Sequence, residues 1–367
     1  MDLNTIAQNV RRIRLARGMS QKGLAAASGI SLPAIKNVER AKAESRTNTL
    51  VLIARALGVT LRELLFPARH LHAVRFRYDG KLRSRENVLA SMSAWLEDYE
   101  YLEKVLKDRK YFAMESVIHG VLLAAAMCRK KLGAKAGQPI HNICGLLENA
   151  GIKIYPFETA SGGLHGFSVA EEDGGPAIAV NTWERITVED RIFTVARELG
   201  HLVLHPDAYD VSQTAEDKEE DHEASVFASH FLMPDKAFRK EWEYAAGIPS
   251  IERLIRVKRI FRVSCRTVLD RIIEMGAGME TEARNDYLRS YQRLFRQASL
   301  FREEPDRLKG SDFGAVRYAG LVRRAIEKGE ISVGHSAEMM RISHGDMRGL
   351  MEEWGGHCES FPTRRSC

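Results

Sequence analysis

The chain lacks the marks of a membrane or disulfide-stapled protein. Its longest apolar run, Val121 to Cys128, is far shorter than the roughly 20 residues that a membrane helix needs. Its five cysteines (Cys128, Cys144, Cys265, Cys358 and Cys367) are odd in number and scattered, with no Cys-x-x-Cys pair, so reduced thiols are expected instead of a disulfide framework. There is no internal repeat and no low-complexity tract. The opening Met1-Asp2-Leu3-Asn4 has neither the basic start nor the apolar stretch of a secretory signal. A cytoplasmic location with no membrane partner is the expectation.

What is present is an ordinary apolar and charged content spread over 367 residues, too many for one comfortable core and enough for two or three domains. The net charge of +6 is unevenly placed. Residues 1–67 hold 11 Lys and Arg against 4 Asp and Glu; the remainder hold 44 against 45. The basic excess therefore belongs to the N-terminal segment, as a nucleic-acid partner for that segment requires.

Leu3, Ile6, Val10 and Ile13 recur at helical spacing, with Arg11, Arg12 and Arg14 expected on the other face. Gly18 ends that helix. Ser20 caps a short second helix to Ala27, Gly29 turns the chain, and Ser31 caps a third with Pro33 near its start, where a missing N–H costs little. Leu50, Ile53 and Leu57 mark a fourth helix closed by Gly58, and Thr60 opens a fifth. This order, with Ser20-Gln21-Lys22-Gly23-Leu24-Ala25 and Ile35-Lys36-Asn37-Val38-Glu39 in place, resembles the lambda-repressor-like (XRE) helix-turn-helix family. The resemblance implies that the third helix enters the major groove. It places Leu32, Pro33, Lys36 and Asn37 towards base edges and Gln21, Arg40, Arg46 and Thr47 towards phosphates. Leu32 and Pro33 cannot hydrogen-bond a base, so direct readout would fall on Lys36 and Asn37. A homodimer reading two half-sites of a double-stranded operator is expected. The competing reading is a helical protein-interaction domain whose arginines are merely solvated.

After Pro67, Val74-Arg75-Phe76-Arg77-Tyr78 reads as a short edge strand, Asp79-Gly80 as a turn and Ser84 as the start of a long helix through Trp95, Tyr99 and Leu102, whose aromatics are most simply core. A helix around Val117 to Leu132 and another through Leu146 and Leu147 precede a strand at Gly151 to Tyr155. Gly166 to Val169 and Ala177 to Asn181 then read as paired strands joined across Asp173-Gly174-Gly175. Beyond them, Thr194-Val195-Ala196-Arg197-Glu198-Leu199-Gly200-His201 is a helical zinc-peptidase signature, H-E-x-x-H, with arginine at the first ligand position. The segment holding Phe76-Arg77 and Trp95 to Tyr99 resembles the connector of regulators that fuse an XRE domain to an ImmA/IrrE-type peptidase domain. Leu132-Gly133, Gly166-Phe167-Ser168, Phe193-Thr194, Glu198 to His201, Phe227-Ala228 and Leu232-Met233-Pro234 resemble that peptidase family itself. A small sheet beside the helix of Glu198, whose edge receives an extended peptide by strand addition, is the implied zincin-like fold.

The resemblance implies Glu198 as general base, His201 as second histidine ligand and Glu223 as third ligand. Arg197 departs from it, because a guanidinium has no lone pair to give and stays charged. Three readings stand. In the preferred one the site holds no cofactor, and Arg197 substitutes its charge for the metal and pairs with Glu198 or Glu223. In the second, zinc shifts by one turn to His201 and His205, with His222, Glu223 or His230 completing the set. In the third, weak turnover persists with loosely held zinc. Without a ligand role, His205 is a helix-end histidine near the last carbonyls, and His222 lies on a solvated acidic face.

Ile251 to Met275 shows two helices around a turn at Val263-Ser264, a long amphipathic helix is expected from about 280 to 296, and Ile331 to Ser343 has a helix-turn-helix rhythm. Near-balanced charge there favours a helical hairpin over a second DNA reader. The fold class expected is mainly α with a small β-sheet: a helix-turn-helix domain at 1–67, a strand-helix connector at 68–112, an ImmA/IrrE-like domain at 113–245 and a helical region at 246–367. The expected function is a DNA-binding regulator whose second domain senses a small-molecule or protein effector or fixes the dimer. The alternative is a zinc metallopeptidase that cleaves a repressor protein and is localised by its helix-turn-helix; a third is an antitoxin-like protein acting through protein contacts.

Overall fold

The structure, a computed structural model, describes residues 2–42, 46–65, 70–76, 85–112, 120–135, 137–160, 163–215, 217–248, 250–275, 289 and 306–356. The turn expected at Asp79-Gly80, Ser84, most of the helix expected at 280–296 and the tail with His357, Cys358 and Cys367 lie outside these residues. The helices are α1 (Leu3–Ala16), α2 (Gln21–Ser28), α3 (Leu32–Glu39), α4 (Thr47–Leu57), α5 (Leu61–Leu65), α6 (Arg85–Leu106), α7 (Val121–Lys131), α8 (Ile143–Ala150), α9 (Val188–Leu204), α10 (Lys218–Leu232), α11 (Asp235–Tyr244), α12 (Ser250–Phe261), α13 (Cys265–Glu274), α14 (Arg317–Glu327), α15 (Val333–Met340) and α16 (His344–Gly356). The strands are β1 (Val74–Arg75), β2 (Lys153–Phe157), β3 (Gly166–Val169) and β4 (Ala177–Asn181). No helix among the described residues is long and apolar enough to cross a membrane. The chain divides into two compact units: Met1–Leu71 with Lys81–Arg109 and Arg317–Cys367, and His72–Gly80 with Lys110–Val316.

In the first unit the five expected N-terminal helices form around Ile6, Val10, Ile13, Leu24, Ile35, Val38, Leu50, Ile53, Leu57 and Leu64. Leu24, Ile35 and Leu57 are fully buried, each contributing about 1.5–3 kcal/mol relative to exposure. The caps follow the sequence. Ser20 accepts from the Gly23 N–H at 2.9 Å. Thr60 and Glu63 form a reciprocal box, Thr60 N–H donating to Glu63 Oε2 at 2.8 Å and Glu63 N–H to Thr60 Oγ1 at 3.1 Å. Gly29, at φ 68°, closes α2 in the left-handed conformation that glycine adopts without penalty.

Arg14 departs from its expected solvated position. It is buried, with Nε and Nη2 on the Glu39 carboxylate at 2.5 and 2.9 Å and Nη1 on the Met19 carbonyl at 2.7 Å. A forked guanidinium satisfied on three sides is one of the few cations that can leave water. The connector aromatics are core: Trp95 and Tyr99 of α6 meet Tyr318 of α14, with ring centroids 5.3 and 5.6 Å away. Arg317 donates to buried Glu103 at 3.1 Å, and Arg341 to Glu63 at 3.2 Å. The C-terminal helices thus fold with the connector helix and α5. α15 and α16 do form a helix-turn-helix: Ser332 caps α15, Arg341 takes the left-handed turn conformation, and the Ser343 hydroxyl accepts from the Asp346 N–H. Exposed Asp346, Glu352 and Glu353 outweigh Arg348 on α16, which makes it a poor partner for phosphate.

In the second unit the sheet runs β1-β3-β4-β2, with β3 antiparallel to both neighbours and β2 parallel to β4. Helix α9 packs on β3 and β4 with one side and on α7, α8 and α10 with another. Two glycines permit this spacing. A Cβ at Gly166 would fall 2.6 Å from the Ala179 carbonyl oxygen and 2.7 Å from Thr194 Cγ2. One at Gly200 would lie 3.0 Å from the Phe227 ring and 3.2 Å from the backbone of Ala224. The first lets β3 approach α9; the second lets α10 approach it. A buried ion pair, Lys258 Nζ to Glu189 Oε1 at 2.9 Å, joins α12 to the start of α9.

Candidate functional site

In the first unit the turn between α2 and α3 places α3 with its apolar residues Ile35 and Val38 inward. Pro33, Lys36, Asn37, Arg40, Arg46 and Thr47 are exposed, and Leu32 is half-buried. Arg46 and Thr47 stand at the start of α4, whose first N–H groups have no side-chain cap from Arg46. Gln21 is held from behind: its Nε2 donates to Glu39 Oε2 at 2.7 Å. Burial pushes the Glu39 carboxyl up, but the Arg14 and Gln21 hydrogen bonds and the Arg14 charge outweigh it and hold the group below the ordinary glutamate range. Glu39 is therefore an anion spent on fixing α1, α2 and α3 together, and the outward side chains remain available to DNA.

In the second unit the sequence Arg197-Glu198-Leu199-Gly200-His201 lies in the middle of α9, with Glu198 and His201 buried and Arg197 half-buried. Glu198 Oε2 accepts from the Ser168 hydroxyl on β3 at 2.9 Å, and the Tyr209 hydroxyl lies 2.9 Å from the same Ser168 oxygen. Arg197 donates to Asp221 Oδ1 at 3.1 Å and, more weakly, to Glu198 Oε1 at 3.4 Å. Arg75 of β1 donates to Glu220 at 3.1 Å. Burial pushes the Glu198 carboxyl above the ordinary glutamate range, and the charges of Arg197 and Arg75 and the Ser168 hydrogen bond pull against it. Burial also raises the Tyr209 phenol, which keeps it neutral as a hydrogen-bonding group.

The histidines are linked: His201 Nδ1 lies 3.1 Å from His205 Nδ1, and His205 Nε2 lies 2.9 Å from Glu223 Oε2. Glu223, which the resemblance placed as third ligand, thus faces His205 from the exposed side of α10. Asp221 is the acid that approaches the motif, 3.9 Å from His201 Nε2 and paired with Arg197. The two acids are two positions apart on α10 and so about 200° apart around it, Asp221 half-buried towards Arg197 and Glu223 exposed towards His205. His230 belongs to another cluster, with its ring against Arg271 and Nε2 2.8 Å from Glu274. His222 is exposed.

The residues do not fit a catalytic zinc. The first ligand position holds a guanidinium, which is itself hydrogen-bonded to Asp221, while Glu223, the third ligand that the resemblance implies, is on His205. Among the described residues no group of three His, Cys, Asp or Glu side chains is arranged to hold a metal ion. Ser168, Tyr209, Arg75, Glu220 and Asp221 are site residues that motif reading alone did not single out. The signals were indirect: Ser168 sits opposite Glu198 only once β3 and α9 pack, and Asp221 stands one turn before the apolar face of α10.

Comparison with known families is consistent with this division. Residues 10–64 match the family model described as helix-turn-helix, and residues 147–272 match the peptidase M78 model described as IrrE N-terminal-like domain. A search of curated proteins finds no match.

Proposed function

We propose that this chain, which carries an N-terminal helix-turn-helix DNA-binding domain and an IrrE N-terminal-like domain, is a sequence-specific transcriptional regulator whose peptidase-like centre serves sensing or dimerisation. The observation that carries the reading is the pairing of Arg197 with Asp221 and Glu198 at the position where the resemblance calls for a ligand. A fixed cation on the helix neutralises two acids that would otherwise face each other. Lys36 and Asn37 supply base readout, Arg40, Arg46 and Thr47 supply phosphate contacts, and pairing of two chains brings two half-sites about one helical turn apart under one dimer.

The approach of Asp221 to His201 Nε2, at 3.9 Å, beside Glu198 on the same helix is the observation behind a second reading, a zinc peptidase that cleaves a repressor and is brought to it by the helix-turn-helix. Metal analysis of the purified full-length chain, with operator selection on the same preparation, separates the two. Specific operator binding by metal-free protein is the expected result. About one zinc per chain, lost in His201→Ala, would overturn it.

A further inference from the structure

The outer edge of β3 is the place where an extended peptide would lie against the centre, since β3 carries Ser168 and Ser168 binds Glu198. That edge is filled by the chain itself. Residues Val74 and Arg75 pair antiparallel with Val169 and Ser168, and the Ala170 N–H donates to the Ala73 carbonyl at 2.9 Å. The His72 and Ala73 N–H groups donate to the Asp173 carboxylate, and the His72 carbonyl accepts from the Val211 N–H at 2.9 Å. Phe76 packs against Phe167 with the rings tilted and their centroids 4.7 Å apart, and is fully buried.

Directly opposed residues of an antiparallel pair project to one face of the sheet. Arg75 is opposite Ser168, so its side chain enters the same face as the Ser168–Glu198 bond and reaches Glu220 on α10. Only 4% of Arg75 is exposed. The acids there are Glu198, Glu220 and Asp221, and the cations are Arg75 and Arg197. Lifting Arg75 out would leave the acids in excess and unbalanced. The edge therefore asks for an arginine, followed on the strand by an aromatic ring for Phe167.

We infer that residues His72–Phe76 are a built-in occupant of a peptide-binding edge, and that an extended peptide with an arginine followed by an aromatic residue binds by taking their place. The inference rests on the sensing role given above to this domain and names its ligand class. One feature suits the segment to exchange: among the described residues its ladder with β3 is two residues long, where an ordinary strand has about five or six.

The test uses a fluorescently labelled peptide of the sequence Leu-His-Ala-Val-Arg-Phe and the full-length chain, read by anisotropy. Arg75→Ala, which loosens the resident segment, should bind the peptide at least tenfold more tightly than the unsubstituted chain, and a peptide with glutamate in place of arginine should lose that gain. Adding Val74→Cys and Val169→Cys to Arg75→Ala gives an internal control. Oxidation staples the segment and should abolish binding, and reduction of the same sample should restore it. Equal binding by both chains, equal binding of the glutamate peptide, or binding that ignores the staple would overturn the proposal. So would absence of binding by an Arg75→Ala chain whose circular dichroism matches the parent. Operator binding by the unsubstituted chain, measured alongside, is independent: its absence would count against the regulator reading and leave edge exchange standing. Cleavage of bound peptide, seen by mass spectrometry, would likewise support exchange while overturning the sensing role.

Discussion

Each unit holds an arginine–carboxylate knot, fully buried between α1 and α3 in the first and partly exposed in the middle of α9 in the second, and the two knots do opposite things. Arg14 and Glu39 meet behind α3, so the charges that lock the helices are removed from the surface that would meet DNA. Arg197, Glu198 and Asp221 meet at the centre of the peptidase-like site, so the charges that lock the helices are those a catalyst would use. Under the proposed function, the same chemistry leaves one site open and closes the other. What distinguishes them is where the guanidinium stands relative to the working face, and a single position along a helix decides that.

The comparison is broken most completely by opening the closed centre. Arg197→His would set a second imidazole one turn before His201, with Asp221 as third donor. Zinc affinity at the micromolar level or tighter is expected, about 8 kcal/mol of binding, and it should be lost when Asp221→Ala is added; calorimetric titration measures both. If Glu223→Ala removes the metal and Asp221→Ala does not, the placement of the two acids is reversed. Next in size is the other knot. Arg14→Ala would leave Glu39 buried and unpaired, a loss of about 3–5 kcal/mol by urea unfolding. Arg197→Ala should cost much less, because Arg197 and Asp221 are a quarter to a third exposed. Comparable losses would mean that the two knots are not different in kind.

On the open face, Lys36→Ala and Asn37→Ala should each cost about 1–3 kcal/mol on the preferred operator and relax its sequence preference. Arg46→Ala should weaken all sequences alike and lower the salt slope by about 1. If none of the three changes binding, the groove assignment fails. The smallest effect is expected from Glu198→Gln, which keeps an acceptor for Ser168 and removes a buried charge. Stability should stay within about 1 kcal/mol or rise, as thermal unfolding would show. A larger loss would mean that Arg197 depends on Glu198 more than on Asp221.

Much of the fold was legible along the chain because its signals are local. Ser20, Gly29, Ser31, Gly58 and Thr60 mark helix ends by hydrogen bonds and dihedrals within a few residues. The turn residues Asp173-Gly174-Gly175 between Gly166 to Val169 and Ala177 to Asn181 mark the hairpin in the same way. The Arg197 substitution was legible for the same reason, since a ligand motif one turn long is local chemistry.

The sequence by itself determined the helix-turn-helix, the small sheet, the order of elements and the missing zinc donor. Each depends on capping, periodicity or lone pairs that neighbouring residues already fix. Only the tertiary structure decided that Arg14 is buried, that Asp221 and not Glu223 meets Arg197, that residues 317–356 fold with α6, and that Val74 and Arg75 fill the edge of β3. Those outcomes depend on which face of one element packs on another far away in sequence. A two-residue step around α10, or the identity of the strand beside β3, leaves no trace in local propensity.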